Sequence, residues 1–173
     1  VDVTSLTGYL VTTSDTAEFN GTVSADSLIT ISANEIDLLG GDESLSGLAE
    51  LTLRPREKTT PIYIGADAIA VDVADQLDLN DTDIAALTSG FTSIYFGHDA
   101  GTGGMTIDPS GLTFDDPVIF EEFDLTSTIH VLGPIVGTGN ASVLISSRYS
   151  NLHADITTAG QDVFIRNGYL NED

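Results

Sequence analysis

Residues 105–120 read Met105-Thr106-Ile107-Asp108-Pro109-Ser110-Gly111-Leu112-Thr113-Phe114-Asp115-Asp116-Pro117-Val118-Ile119-Phe120. Three short triplets stand in this stretch, each with its apolar ends inward and its middle residue outward, the period of two of a β-strand. Between them lie Asp, Pro, Ser and Gly, which bend the chain. Such strands are too short for a sandwich or barrel, and two-residue hairpin turns are scarce. Short strands joined by bends ask for a solenoid, in which each coil buries its inward residues against its neighbours.

The same pattern extends in both directions. Upstream stand Leu28-Ile29-Thr30-Ile31, Ile36-Asp37-Leu38, Leu51-Thr52-Leu53, Ile62-Tyr63-Ile64, Val71-Asp72-Val73, Leu77-Asp78-Leu79 and Ile94-Tyr95-Phe96. Downstream stand Ile129-His130-Val131, Val143-Leu144-Ile145, Ala154-Asp155-Ile156 and Val163-Phe164-Ile165. Residues Gly47–Leu53 echo Gly139–Ile145 at an offset of 92 residues. Four coils of about 23 residues would span that offset, and the whole chain would then hold about seven coils, a rod on the order of 35 Å long. One stretch breaks the pattern: Asp81–Leu87 reads as a short helix near 82–89, capped by Asp81 or Thr82 and ended by Gly90. Two helical turns do not stand alone, so Ile84 and Leu87 are expected to cover the solenoid core. The fold class is therefore all-β, a single-stranded parallel β-helix, with residues 1–173 forming one domain. The chain opens on Val1 and is read as a fragment of a larger protein.

Composition narrows the function. The 27 acidic residues against five Lys and Arg leave a net charge of −22. Nucleic acid and anionic lipid are repelled, because phosphate contacts need clustered Lys and Arg. Cysteine is absent, which excludes disulfides, zinc–thiolate and iron–sulfur sites. No stretch is long and apolar enough for a membrane-spanning helix, so no membrane insertion is expected.

Several runs carry a family likeness. They are Ser44–Gly47 leading into Leu51–Pro55, Ser89–Gly97, Gly137–Val143 and Leu152–Val163. From Ser44 to Val163 the chain resembles the repeat regions of filamentous-haemagglutinin-type bacterial exoproteins and adhesins. The resemblance implies a right-handed parallel β-helix, placed outside the cell or on the bacterial surface. It implies a stalk and display role with no catalytic residues, and neighbours that are further repeats, like subunits stacked end to end, or host and matrix glycans or proteins. The strong acidity and the Arg54–Lys58 loop depart from the commoner members.

Candidate sites are few. His98, His130 and His153 are far apart and fall in no metal-binding spacing, and no nucleophile elbow of the GxSxG kind is present. A polysaccharide lyase would need a cationic group and a basic proton acceptor. A hydrolase with two carboxylates stays open as an alternative, as does a self-assembling fibre subunit. The expectation is a non-catalytic protein. Calcium, which takes carboxylate and carbonyl oxygens, is the most plausible ligand, with Asp81, Asp83, Asp115 and Asp116 as its candidates. Turn aspartates also serve as caps. Arg54, Arg56 and Lys58 form either a partner-binding knob or a solvated bend with ion pairs to Glu50 and Glu57.

Overall fold

The computed structural model describes residues 3–6, 16–65, 75–124 and 126–168, the first four by backbone alone. It is a β-solenoid: every strand pairing among the described residues is parallel. The longest sheet stacks Ile29–Ser32, Glu50–Arg54, Ser93–His98, Val118–Glu122, Val143–Ser147 and Val163–Asn167. A second face stacks Leu77–Leu79, Ile62–Ile64, Met105–Ile107, Thr128–Val131 and Tyr149–Leu152. A third stacks Leu112–Phe114, Ile135–Gly137 and Ile156–Thr158. Two smaller sheets complete the first coils, one of Val3–Leu6, Val23–Ala25 and Leu45–Gly47, the other of Thr16–Phe19 and Glu35–Leu38.

The register explains the core. In the long sheet Ile29, Leu51, Ile94, Val118 and Val143 lie in one file, and Ile31, Leu53, Phe96, Phe120 and Ile145 in the next. All ten are at most 3 % exposed. Inward residues of each triplet thus stack on their own kind, and one continuous hydrophobic cluster runs from Ala17 to Ile145.

Steps along the first file are 22, 43, 24 and 25 residues, and 20 more lead to Val163. The long step corrects the coil count. Leu51 and Val143 do share a file, as their echo implies, but three steps join them instead of four. The longest face has six strands, about 24 Å from first to last at about 4.8 Å per step. An excursion takes up the missing coil. The chain leaves Ile62–Ile64, and Leu77–Leu79 returns to pair with it on the side opposite Met105–Ile107. Leu77 N donates to Pro61 O at 2.9 Å, and Gly65 N to Leu79 O at 2.8 Å. The Val71-Asp72-Val73 triplet lies outside the described residues.

The helix follows, spanning Asp81–Ala85. Its N-cap is Asn80 and its C-cap Ala86, in place of the Asp81 or Thr82 and Gly90 read from sequence. Asn80 and Asp83 form a capping box: the Asn80 side chain accepts from Thr82 N and Asp83 N, while Asp83 accepts from Asn80 N at 2.9 Å. Ile84 and Leu87 do pack on the core, and Leu87 bridges to Leu45.

Asp83 reaches further. It is 1 % exposed and accepts a second bond, from Leu38 N at 2.7 Å. Burial pushes its carboxyl up to about 6, while the two backbone N–H groups pull the other way. Asp83→Ala orphans both donors and removes the cap. Its expected cost is about 2 kcal/mol, read from urea unfolding midpoints. A loss near zero would show that the helix is not tied to the Glu35–Leu38 strand.

Candidate functional site

A concave polar surface crosses the long sheet on its outward side. Outward residues of neighbouring strands meet in register there, Thr52 beside Tyr95. Together with Glu50, Arg54, Gly97, His98 and Asp99 they line an open groove of about 210 Å³. Gly97 is part of the lining. Its φ is +103°, and a Cβ at that position would lie 2.1 Å from Glu121 O, so no side chain fits there. Thr52 Oγ1 donates to Glu50 Oε1 at 3.2 Å. Arg54 makes no ion pair among the described residues. His98 Nδ1 lies 2.8 Å from Asp99 Oδ1 and 3.1 Å from Ala100 N.

The basic triad is therefore divided. Arg54 ends a core strand and faces this groove. Arg56 and Lys58 are exposed on the following loop. Arg56 Nε lies 3.7 Å from Glu57 Oε1, a solvent-screened pair that contributes little. Glu50 instead accepts from Thr52. Lys58 is held by its backbone: its carbonyl accepts from Thr102 N at 2.7 Å and Gly103 N at 3.2 Å, in the next coil.

The calcium candidates are dispersed. Asp81 and Asp115 are exposed, and the Thr138 hydroxyl donates to Asp115. Asp116 is 4 % exposed and accepts from Gly90 N at 2.7 Å and Phe91 N at 2.8 Å. With Asp83 bound to Leu38 and Asn80, two of the four already satisfy backbone donors with which an ion would compete. Among the described residues no group of three Asp, Glu or His side chains is placed to hold a metal ion. The other histidines lie apart from the groove. His130 faces outward on the second face, 3.3 Å from Asn151 Nδ2, and His153 is exposed.

The burial of one acidic residue escaped the sequence reading. Glu122 is 0 % exposed, directly beneath the loop that leaves His98. Gly104 N donates to its Oε2 at 3.3 Å, while Oε1 has no well-formed hydrogen bond among the described residues. The loop packs so closely that a Cβ at Gly101 would sit 2.2 Å from Oε2. Burial first, then the neighbouring Glu121 charge, push this carboxyl up to about 8, against the pull of the Gly104 and His98 N–H groups. The signal was present in Val118-Ile119-Phe120-Glu121-Glu122, where strict alternation turns residue 122 inward with 118 and 120.

No protein-family model, curated protein or solved structure matches this chain.

Proposed function

We propose that this chain is a non-catalytic stalk and display segment of a large exported bacterial surface protein, working through the shape and charge of its solenoid. The observation that carries the reading is the state of the last coil. Val163 and Ile165 stack on Val143 and Ile145. They are 39 % and 45 % exposed, whereas Val143 and Ile145 are 0 % exposed. Inward residues of a coil are stable only under a neighbour, and a parallel strand with aliphatic residues in the same files is what this end accepts. Among the described residues, five of the nine large exposed hydrophobics, Tyr149, Leu152, Val163, Phe164 and Ile165, belong to this coil. In the stalk reading that neighbour is a further repeat of the same protein.

The fibre-subunit alternative asks for a matching open face at the other end. There, among the described residues, Ala17, Ile29 and Ile31 of the outermost strands are 4 %, 1 % and 0 % exposed, which supports the single-chain stalk. The resemblance of residues 44–163 to filamentous-haemagglutinin-type repeats supports the same reading and is the ground for an extracellular or cell-surface location. The net charge of −22 suits a stalk that must not adhere to its own kind.

Three measurements test this. The complete reading frame around the segment should hold further repeats of 20–25 residues; a frame of ordinary size without them ends the stalk reading. Sedimentation velocity should show no concentration-dependent series of linear oligomers, and such a series would install the fibre subunit instead. Incubation with neutral and acidic polysaccharides is expected to leave them intact. Turnover abolished by replacing one carboxylate pair would make the protein a hydrolase.

A further inference from the structure

We propose that the groove lined by Glu50, Thr52, Arg54, Tyr95, His98 and Asp99 is a binding subsite for one neutral pyranose unit of a glycan, with the sugar ring laid on Tyr95. The inference deepens the display half of the proposed function by assigning a ligand class to a particular surface.

A volume of about 210 Å³ is below the range that takes a drug-sized molecule. It suits a single ring whose chain continues into solvent. Gly97 is part of the lining and must be glycine, since a Cβ there would strike Glu121 O. The solenoid makes the floor rigid: Thr52 and Tyr95 belong to adjacent strands paired over four successive residues, with buried Leu51, Leu53, Ile94 and Phe96 beneath them.

Chemistry then selects the ligand. A tyrosine offers an apolar face with a polar tip, which matches the C–H face of a pyranose. Around it stand groups that hydrogen-bond hydroxyls in pairs. Glu50 uses one oxygen for Thr52 and retains acceptor capacity on the other. Arg54 presents planar donors and makes no ion pair among the described residues. Asp99 is held against His98 on the opposite rim. Two carboxylates in the lining, on a chain of net charge −22, work against uronic acids, sulfated sugars and phosphates. Neutral hydroxyls meet no such penalty. Placed across the strands, the subsite leaves both ends of a glycan free to run along the solenoid wall.

The test uses the chain as it stands and defined probes: gluco-, manno- and galacto-configured neutral oligosaccharides, with a uronic-acid oligomer for comparison. Backbone amide shifts in heteronuclear NMR spectra report where each binds. The expected result is binding by at least one neutral probe with a Kd of about 1 mM or tighter, with perturbations confined to residues 50–54 and 93–99. Tyr95→Ala should weaken it at least about tenfold while Tyr95→Phe retains most of it. Arg54→Ala should weaken it, and Thr106→Ala, on the second face, should leave it unchanged. Far-UV circular dichroism of each variant establishes that the fold is kept. The proposal is overturned if no neutral probe perturbs these residues at about ten times that concentration, if only the uronic-acid oligomer binds, or if Tyr95→Ala binds as the parent does. Should Tyr95→Ala fail to fold, Tyr95→Phe and Arg54→Ala decide alone. Failure here leaves the stalk reading intact, and a reading frame without repeats leaves the groove intact.

Discussion

Replacing Phe120 by alanine is expected to lower the unfolding free energy by about 3–5 kcal/mol, a large part of the roughly 5–15 kcal/mol that holds a domain together. Phe120 and Phe96 are both 0 % exposed and occupy one file in adjacent coils. Their rings are stacked, with centroids 5.4 Å apart and planes 12° from parallel. Phe114 closes the cluster from the third face, 5.8 Å from Phe96 and 6.1 Å from Phe120, the latter edge to face. Truncation opens a cavity between two coils that cannot collapse, because the ladder fixes their spacing. A solenoid has only nearest-neighbour contacts, so a gap in mid-stack uncouples the coils on either side. The control is Ile119→Ala on the same strand: Ile119 faces outward and is half-buried, and its loss should cost under about 1 kcal/mol. Equal losses at 119 and 120, measured by denaturant unfolding, would mean that the strand is not oriented as described.

The second large effect depends on pH. Glu122 titrates near 8 in the folded chain and near 4.5 when free. Folding therefore favours its protonated form. The contribution is fully present below about pH 4.5 and is lost as pH rises through about 8, a change on the order of 5 kcal/mol. Many other carboxylates titrate at the acid end, so the useful quantity is the difference between Glu122→Gln and the parent. That difference should be small near pH 5 and grow in favour of the glutamine variant up to about pH 9. Asp83, whose carboxyl titrates near 6, is common to both proteins and cancels. A difference that stays constant from pH 5 to 9 would show that Glu122 is not held in a dry site. The loop over Glu122 carries His98 and Asp99, so the same titration should also loosen one rim of the groove.

Much of this architecture is legible from residue order, because alternation and burial are the same fact in a solenoid. Leu51-Thr52-Leu53, Met105-Thr106-Ile107 and Val143-Leu144-Ile145 each became a strand with its ends buried. Strands with small or polar inward residues were not legible. Ile135–Gly137 has one large inward residue and a glycine, and Leu45–Gly47 is similar. Near the last coil the frame slipped: Ala154-Asp155-Ile156 is not a strand, and Ile156 begins one that runs to Thr158. The excursion through Leu77–Leu79 was hidden for another reason. A backward step is defined by which strand it pairs with, and its triplet looks like any other. Hence the 92-residue echo located a shared file correctly while the coil count came out too high.

The candidate sites divide in the same way. Asn80-Asp81-Thr82-Asp83 carries a local capping pattern, and its frame could have been read. Asp116 could not, because the N–H groups it accepts from belong to Gly90 and Phe91, in the preceding coil. The groove itself is a product of register. Glu50, Arg54, Tyr95 and Asp99 are scattered in the chain and meet only because Leu51 stacks on Ile94 across a step of 43 residues.

That stacking order is the central claim, and the absence of cysteine allows it to be measured with paired spin labels on introduced cysteines. Labels at Thr52 combined in turn with Ile119, Leu144 and Phe164 sample one outward file. Backbone separations of about 10, 14 and 19 Å are expected, rising by about 4.8 Å per strand. Distances that do not increase in that order, or a Thr52–Leu144 separation of about 19 Å as four coils would require, would contradict the account.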